Sequence, residues 1–217
     1  DVYKRQGWGV LGWTAPQFHR LMRGYRAEIR ALRCDDALAL AERLYRHRAE
    51  ETTAAGNFVL KSKLECIGPK DFAFLDRALD HFGSWSSIDG FCIEILQPIL
   101  REHPVKTLRL LRKWNGAESM WKRRASVVAF VRKVGEGGRF TDEALSLCEN
   151  LIWDDEDLVR KGVGWCLKDV MRGDKEKVLK YVEGLRERGV PSTITLYAIR
   201  DLKGPQRQAV LRAGRRN

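Results

Sequence analysis

From Trp13 onward apolar residues recur at helical spacing, and no stretch alternates apolar and polar residues cleanly enough for a strand. Pro16 suits a first helical turn and opens a helix predicted to run to about Leu32. Asp35 and Asp36 start another, in which Ala37, Leu40, Ala41 and Leu44 share one face. A third covers about Glu50 to Glu65 and stops near the breaker pair Gly68-Pro69. Beyond it the predicted helices come in pairs: Lys70–Phe82 with Ser87–Arg101, Val105–Trp114 with Met120–Val134, Asp142–Trp153 with Glu156–Met171, and Lys175–Arg188 with Ser192–Leu202. The pairs recur roughly every 35 residues, close to the period of tetratricopeptide repeats but without their Trp/Leu-Gly/Tyr signature. A two-helix unit cannot bury its apolar face alone and must stack on its neighbours. The predicted fold is therefore all-α, a HEAT-like helical-repeat solenoid (an α-α superhelix).

The first six residues, Asp1 to Gln6, read as a translated sequencing-adapter scar. That leaves one repeat domain over residues 7–217, expected to be truncated at its N-terminus. Hydrophobic residues make up 44% of the 217 and charged residues 32%, the balance of a globular domain with a real core. No apolar run is long enough for a membrane span. Five cysteines, Cys34, Cys66, Cys92, Cys148 and Cys166, are scattered without a C-x-x-C pair. They read as buried thiols in a reducing cytoplasm rather than as a zinc site or a disulfide framework. The four histidines are equally dispersed, so no metal is expected.

The net charge of +11 changes the picture, because a compact domain with so large a basic excess suits a polyanion. Nucleic acid leads and an anionic membrane surface follows. Aligning the second helices of the pairs sets Asp89, Arg124 and the Arg160-Lys161 pair at corresponding depths, a row of cations with one carboxylate at its edge. A concave basic face of that kind suits a phosphate backbone, with Arg123, Arg124, Arg160 and Lys161 as binding candidates.

Three stretches are the most informative. In Ser84-Trp85-Ser86-Ser87-Ile88-Asp89, Ser87 reads as an N-cap, which would put Asp89 in a first helical turn where the dipole favours its charged form. The plain alternative is a helix-start acid beside a packing tryptophan. In Met120–Val128, Trp121 reads as core and the arginines as a solvated or phosphate-facing edge. In Leu158–Lys168, Gly162 and Gly164 each cost a helix about 1 kcal/mol relative to alanine, so a close approach must compensate. Trp165 beside them reads as core or as an exposed aromatic wall.

Taken in order, S-W-S-S-I-D-G, M-W-K-R-R-A-S-V-V-A-F and D-L-V-R-K-G-V-G-W-C-L-K-D resemble the DNA alkylation repair proteins of the AlkD type. Lys113-Trp114 and the G-V-x-x-x-T-A-P run from Gly9 to Pro16 are similar to that family as well, so the resemblance spans about Gly9 to Leu202. It implies a HEAT-like fold that wraps double-stranded DNA containing alkylated bases. The implied reaction is hydrolysis of the N-glycosidic bond of cationic alkylpurines, N3-alkyladenine and N7-alkylguanine, without extrusion of the base and without a cofactor. By the same resemblance Trp85, Asp89 and Trp165 form the catalytic cleft, Arg124 sits near the lesion, and Arg132 and Lys168 touch the DNA backbone. The chain departs from the family at Ser84, where a second tryptophan is frequent, and at Ser86, where an acid is common. A monomer in the cytoplasm, on the nucleoid when bound to DNA, is expected. Two other readings compete: a non-catalytic DNA-binding paralogue of the same fold, and a protein-interaction scaffold in which Trp85 and Trp165 would be buried.

Overall fold

A computed structural model describes residues 9–213, so the adapter assignment at residues 1–6 lies outside the described part. The described residues are helical throughout; their one β feature is an isolated parallel bridge between Gly9 and Ala49. Among the described residues no helix is long and apolar enough to cross a membrane. Contacts divide the chain into two compact units, one ending at Thr107 and the other beginning at Leu108.

The first unit contains α1 (Ala15–Gly24), α2 (Arg26–Ala31), α3 (Cys34–Arg46), α4 (Glu50–Ser62), α5 (Phe72–Ala78), α6 (Trp85–Phe91) and α7 (Gln97–Glu102). The helix expected from Pro16 to Leu32 exists but breaks at Tyr25, immediately after Gly24, a weak helix former. On α3 the buried stripe is Ala37, Ala41 and Tyr45, while Leu40 and Leu44 are only half-buried. The two alanines let α3 lie close to α4. Tyr45 packs at a tilt against Phe82 with ring centroids 4.9 Å apart, and Phe82 meets Phe91 edge to face at 5.5 Å.

The helix expected over Ser87–Arg101 is longer and less regular than its periodicity suggests. It runs from Trp85 to Glu102 with a π-helical segment, Cys92–Leu96, between α6 and α7. Pro98 supplies the reason: it has no N–H to give to the preceding turn, and its ring crowds the carbonyl four residues back. A widened turn just ahead of it relieves both.

The second unit takes in most of α8 (Pro104–Asn115) and then α9 (Met120–Val128), α10 (Lys133–Glu136), α11 (Thr141–Glu149), α12 (Asp157–Gly173), α13 (Lys175–Glu187), α14 (Ser192–Ala198) and α15 (Gly204–Ala213). Its organiser is α12, which packs against α9, α10, α11, α13 and α14. Trp114, Phe130, Val159, Val163, Leu167 and Ile194 are fully buried in it. The second helices of successive pairs begin at Trp85, Met120, Asp157 and Ser192, which keeps the period of roughly 35 residues.

One cysteine expectation is overturned. Cys34 and Cys66 form a disulfide, with Cα atoms 5.2 Å apart, whereas Cys92, Cys148 and Cys166 are buried thiols. The pair lies 32 residues apart in sequence. The packing of α3 on α4 brings the start of one helix to the short 3-10 turn that follows the other, a proximity that linear spacing cannot reveal.

Candidate active site

In the first unit the serine-rich turn does begin a helix, but one turn earlier than its sequence suggests. Ser84, not Ser87, is the N-cap: its Oγ accepts from the Ser87 N–H at 3.1 Å. Trp85 is therefore the first helical residue and Asp89 falls in the second turn, beyond the free amides that a first-turn carboxylate would meet. Their spacing of four still puts both on one face of α6. Trp85 is 45% exposed and Asp89 is 7% exposed.

The same turn is tied to α4 at two heights. At the head of α4 the Glu50 carboxylate accepts from the hydroxyls of Ser84 (2.5 Å), Ser86 and Ser87 (3.2 Å). Two helical turns further along, buried Asn57 donates from Nδ2 to the Ser87 carbonyl at 3.2 Å and accepts from the Tyr45 hydroxyl at 2.9 Å. Complete burial raises the Tyr45 phenol well above its ordinary pKa, so it remains a donor. Gly56 makes room for that ring, since a Cβ there would lie 2.5 Å from Tyr45 Cε1.

In the second unit the basic candidates differ in how their charges are engaged. Arg123 is locked in place: it donates from Nε (2.6 Å) and Nη2 (3.2 Å) to Asp154 and from Nη1 to the carbonyls of Ala117 and Glu118. Arg124 is 5% exposed and its Nη1 donates to the Leu158 carbonyl. Gly162 faces it from α12, where a Cβ would make ordinary contact with Arg124 Cγ and Nη1 at 3.4 Å. Gly164 serves packing instead: its Cβ would collide with Tyr197 Cβ at 2.6 Å and the Ile194 carbonyl at 2.9 Å. Arg160 donates to the Asp154 carbonyl, and Lys161 pairs with Asp157 one turn away at 2.7 Å.

Arg132 occupies a break between α9 and α10, where a single longer helix is predicted by periodicity. Its φ of 55° and ψ of −136° lie in a region that only glycine enters freely, at a cost of about 1–3 kcal/mol. The conformation is held by Asp169, 1% exposed on α12, whose Oδ2 accepts the Arg132 N–H at 2.6 Å. The result carries the exposed guanidinium over half-buried Trp165, 5.9 Å from the ring centroid. Lys168 Nζ lies 3.1 Å from Asp169 Oδ1 without an aligned hydrogen bond, so charge proximity is what holds it. It also lies 3.7 Å from Asp201. A hydrogen bond from Arg172 holds the Asp201 carboxyl below the usual carboxylate range, against the opposing effect of desolvation.

A profile of the family described as "DNA alkylation repair enzyme" matches residues 2–202. The chain belongs to the DNA alkylation repair enzyme family. Among solved structures it is similar to a "predicted DNA alkylation repair enzyme" from Enterococcus faecalis. The TM-score is 0.66 at 14% identity, over 99% of this chain and 90% of that one, a likeness of fold. No curated protein matches the sequence.

Within this DNA alkylation repair chain, Trp85 and Asp89 share one helix face, and Arg132, Trp165 and Lys168 come together in the second unit through Asp169. Sequence reasoning passed over the supporting groups Glu50, Asn57 and Asp169. Asp169 had a visible signal, a lone acid beside Val170 on the apolar side of a helix. Glu50 had none, because a glutamate at a helix start is common.

Proposed function

We propose that the chain is a DNA glycosylase that hydrolyses the N-glycosidic bond of cationic alkylated purines in double-stranded DNA. The observation that carries this reading is a pinned helix start that presents a half-exposed indole, Trp85, with the Asp89 carboxylate one turn behind it, in a member of an alkylation repair family.

A purine that already bears a positive charge leaves without protonation. The demand on the protein is to stabilise the oxocarbenium-like sugar and to orient water, and a carboxylate serves both. In this mechanism Asp89 directs a water oxygen to the anomeric carbon. The bond to the purine nitrogen breaks toward the base, and the water proton passes to Asp89 or to solvent. An indole face holds a cationic nucleotide at about 0.5–2 kcal/mol, the role we propose for Trp85 in the first unit and for Trp165 in the second. Arg124 stands near the lesion, and Arg132, Arg160, Lys161 and Lys168 meet phosphates of the same duplex. Arg123, engaged with Asp154, would contribute to binding indirectly by shaping the start of α9. Helix pairs of HEAT type, a monomeric state and a cytoplasmic site of action on the chromosome complete the proposal.

The scaffold alternative requires both tryptophans to be buried, and the exposure of Trp85 speaks against it. The test is base release from N-methylated duplex DNA by the chain and by its Asp89→Asn variant. Release by the parent, abolished in the variant with DNA affinity equal or higher, is expected. Undiminished release by Asp89→Asn would remove the mechanism; binding without release by the parent would favour the non-catalytic paralogue.

A further inference from the structure

The head of α4 carries two adjacent carboxylates, and each holds a turn that bears an exposed tryptophan. Glu51 accepts from the backbone N–H groups of Leu11 (2.9 Å), Gly12 (2.8 Å) and Trp13 (3.1 Å). Glu50 takes the hydroxyls of Ser84, Ser86 and Ser87. The Ser84 cap fixes where α6 begins, yet by itself it does not fix where that start lies on α4. Glu50 and Asn57 do so together, because residues seven apart share a helix face and both reach the same turn of α6.

We propose that Glu50 is a positioning residue: through three serine hydroxyls it sets the placement of Trp85 and Asp89, and thereby the rate of base excision. This inference rests on the glycosylase reading above. Its chemistry is specific to a carboxylate. An ionised carboxylate has acceptor sites for all three hydroxyls and makes charge-assisted bonds, about twice as strong as neutral ones. Glutamine has the same shape but presents an NH2 donor where one oxygen stood, so at least one hydroxyl must reverse from donor to acceptor and every bond loses its charge assistance. Loss of that clamp leaves the hydroxyls bonded to one another and to the Ser87 N–H, contacts within the turn that do not anchor it to the head of α4. Catalytic geometry is sensitive to such slack, since a displacement of about 1 Å can cost on the order of a hundredfold in rate.

The experiment compares the parent chain with Glu50→Gln, Ser86→Ala and the double variant. It measures single-turnover release from N-methylated duplex DNA, affinity for the same duplex, melting temperature, and amide hydrogen exchange peptide by peptide. For Glu50→Gln we expect release slower by on the order of tenfold to a hundredfold, with DNA affinity within about twofold. Faster exchange should be confined to the segment around residues 84–91. In the double variant the two effects should be less than additive, because both act through one contact. Unchanged release and exchange in Glu50→Gln, or strictly additive effects, would overturn the proposal. So would a loss of melting temperature with faster exchange throughout the first unit, which would make Glu50 an ordinary packing residue. If the parent releases no base, the glycosylase reading fails on its own. Local exchange in Glu50→Gln then still decides whether this carboxylate holds the turn.

Discussion

Two glycines two residues apart on α12 should respond to the same substitution in opposite ways. Replacing glycine by alanine inside a helix gains roughly 1 kcal/mol of intrinsic helix stability. At Gly162 the new methyl would meet Arg124 Cγ and Nη1 at 3.4 Å and Val127 Cγ2 at 3.5 Å, ordinary or slightly tight contacts with side-chain atoms. Gly162→Ala should therefore be neutral or more stable, by up to about 1 kcal/mol. At Gly164 the methyl would come to 2.6 Å of Tyr197 Cβ and 2.9 Å of the Ile194 carbonyl oxygen, atoms fixed to the backbone of α14. Neither can swing aside, so α12 and α14 must separate, and overpacking of this kind costs about 1–3 kcal/mol. We take the upper end because the obstacle is main chain, which leaves a net loss of about 2 kcal/mol after the helix gain. For a chain of 217 residues that is a fall in Tm of roughly 4–8 °C. Urea titration followed by far-ultraviolet circular dichroism measures both variants on one scale. The reasoning fails if Gly164→Ala is as stable as the parent, or if Gly162→Ala is the more damaging of the two.

Arg132→Gly removes backbone strain of about 1–3 kcal/mol at a glycine entropy cost of roughly 0.5–1 kcal/mol. Thermal unfolding should show unchanged or higher stability while duplex affinity falls, because the cation over Trp165 is gone; lower stability would contradict the strain. Reducing the Cys34–Cys66 bond reopens a loop spanning 32 residues of sequence, worth about 3–4 kcal/mol by chain entropy, and denaturant unfolding with and without a reductant should differ by that much. Acid should weaken the fold in a defined window. Partial burial pushes the Glu51 carboxyl up, but backbone N–H groups of Leu11, Glu51, Trp13 and Gly12 outweigh it and hold it below its ordinary value, as Arg172 does for Asp201. For groups lowered on folding, the stabilisation is complete above the unfolded pKa of about 4 and disappears as pH falls through the lower folded values. The urea midpoint should be level from about pH 5 to 7 and drop below about 4, with a shallower drop in Glu51→Gln.

The helix pairs and their period could be read from the chain because burial of one face leaves a repeating apolar mark, as in Val159, Val163, Leu167 and Val170 on α12. Trp85 and Asp89 were singled out through the family resemblance, but their common helix face was not legible, because a cap at Ser87 would have left Trp85 outside the helix. What escaped the sequence was set by partners distant along the chain. Ser84 outcompetes Ser87 as the cap in a turn where Glu50 gathers the serine hydroxyls from α4. The break at Arg132 depends on Asp169, and no local signal in V-R-K-V announces a left-handed residue. The disulfide depends on two helices lying side by side. Pro98 was the exception: a proline inside a helical pattern was visible in the sequence and should have announced the irregular turn before it.

Tyr45 and Gly56 cannot vary independently. The phenol ring occupies the space into which any side chain at position 56 would grow, and its hydroxyl supports Asn57, which in turn supports the start of α6. A descendant that gained alanine at 56 would have to exchange the tyrosine for something smaller, and the amide next door would then lose its donor. Among relatives, the two positions should be inherited as a linked pair, and a change at one should announce a change at the other.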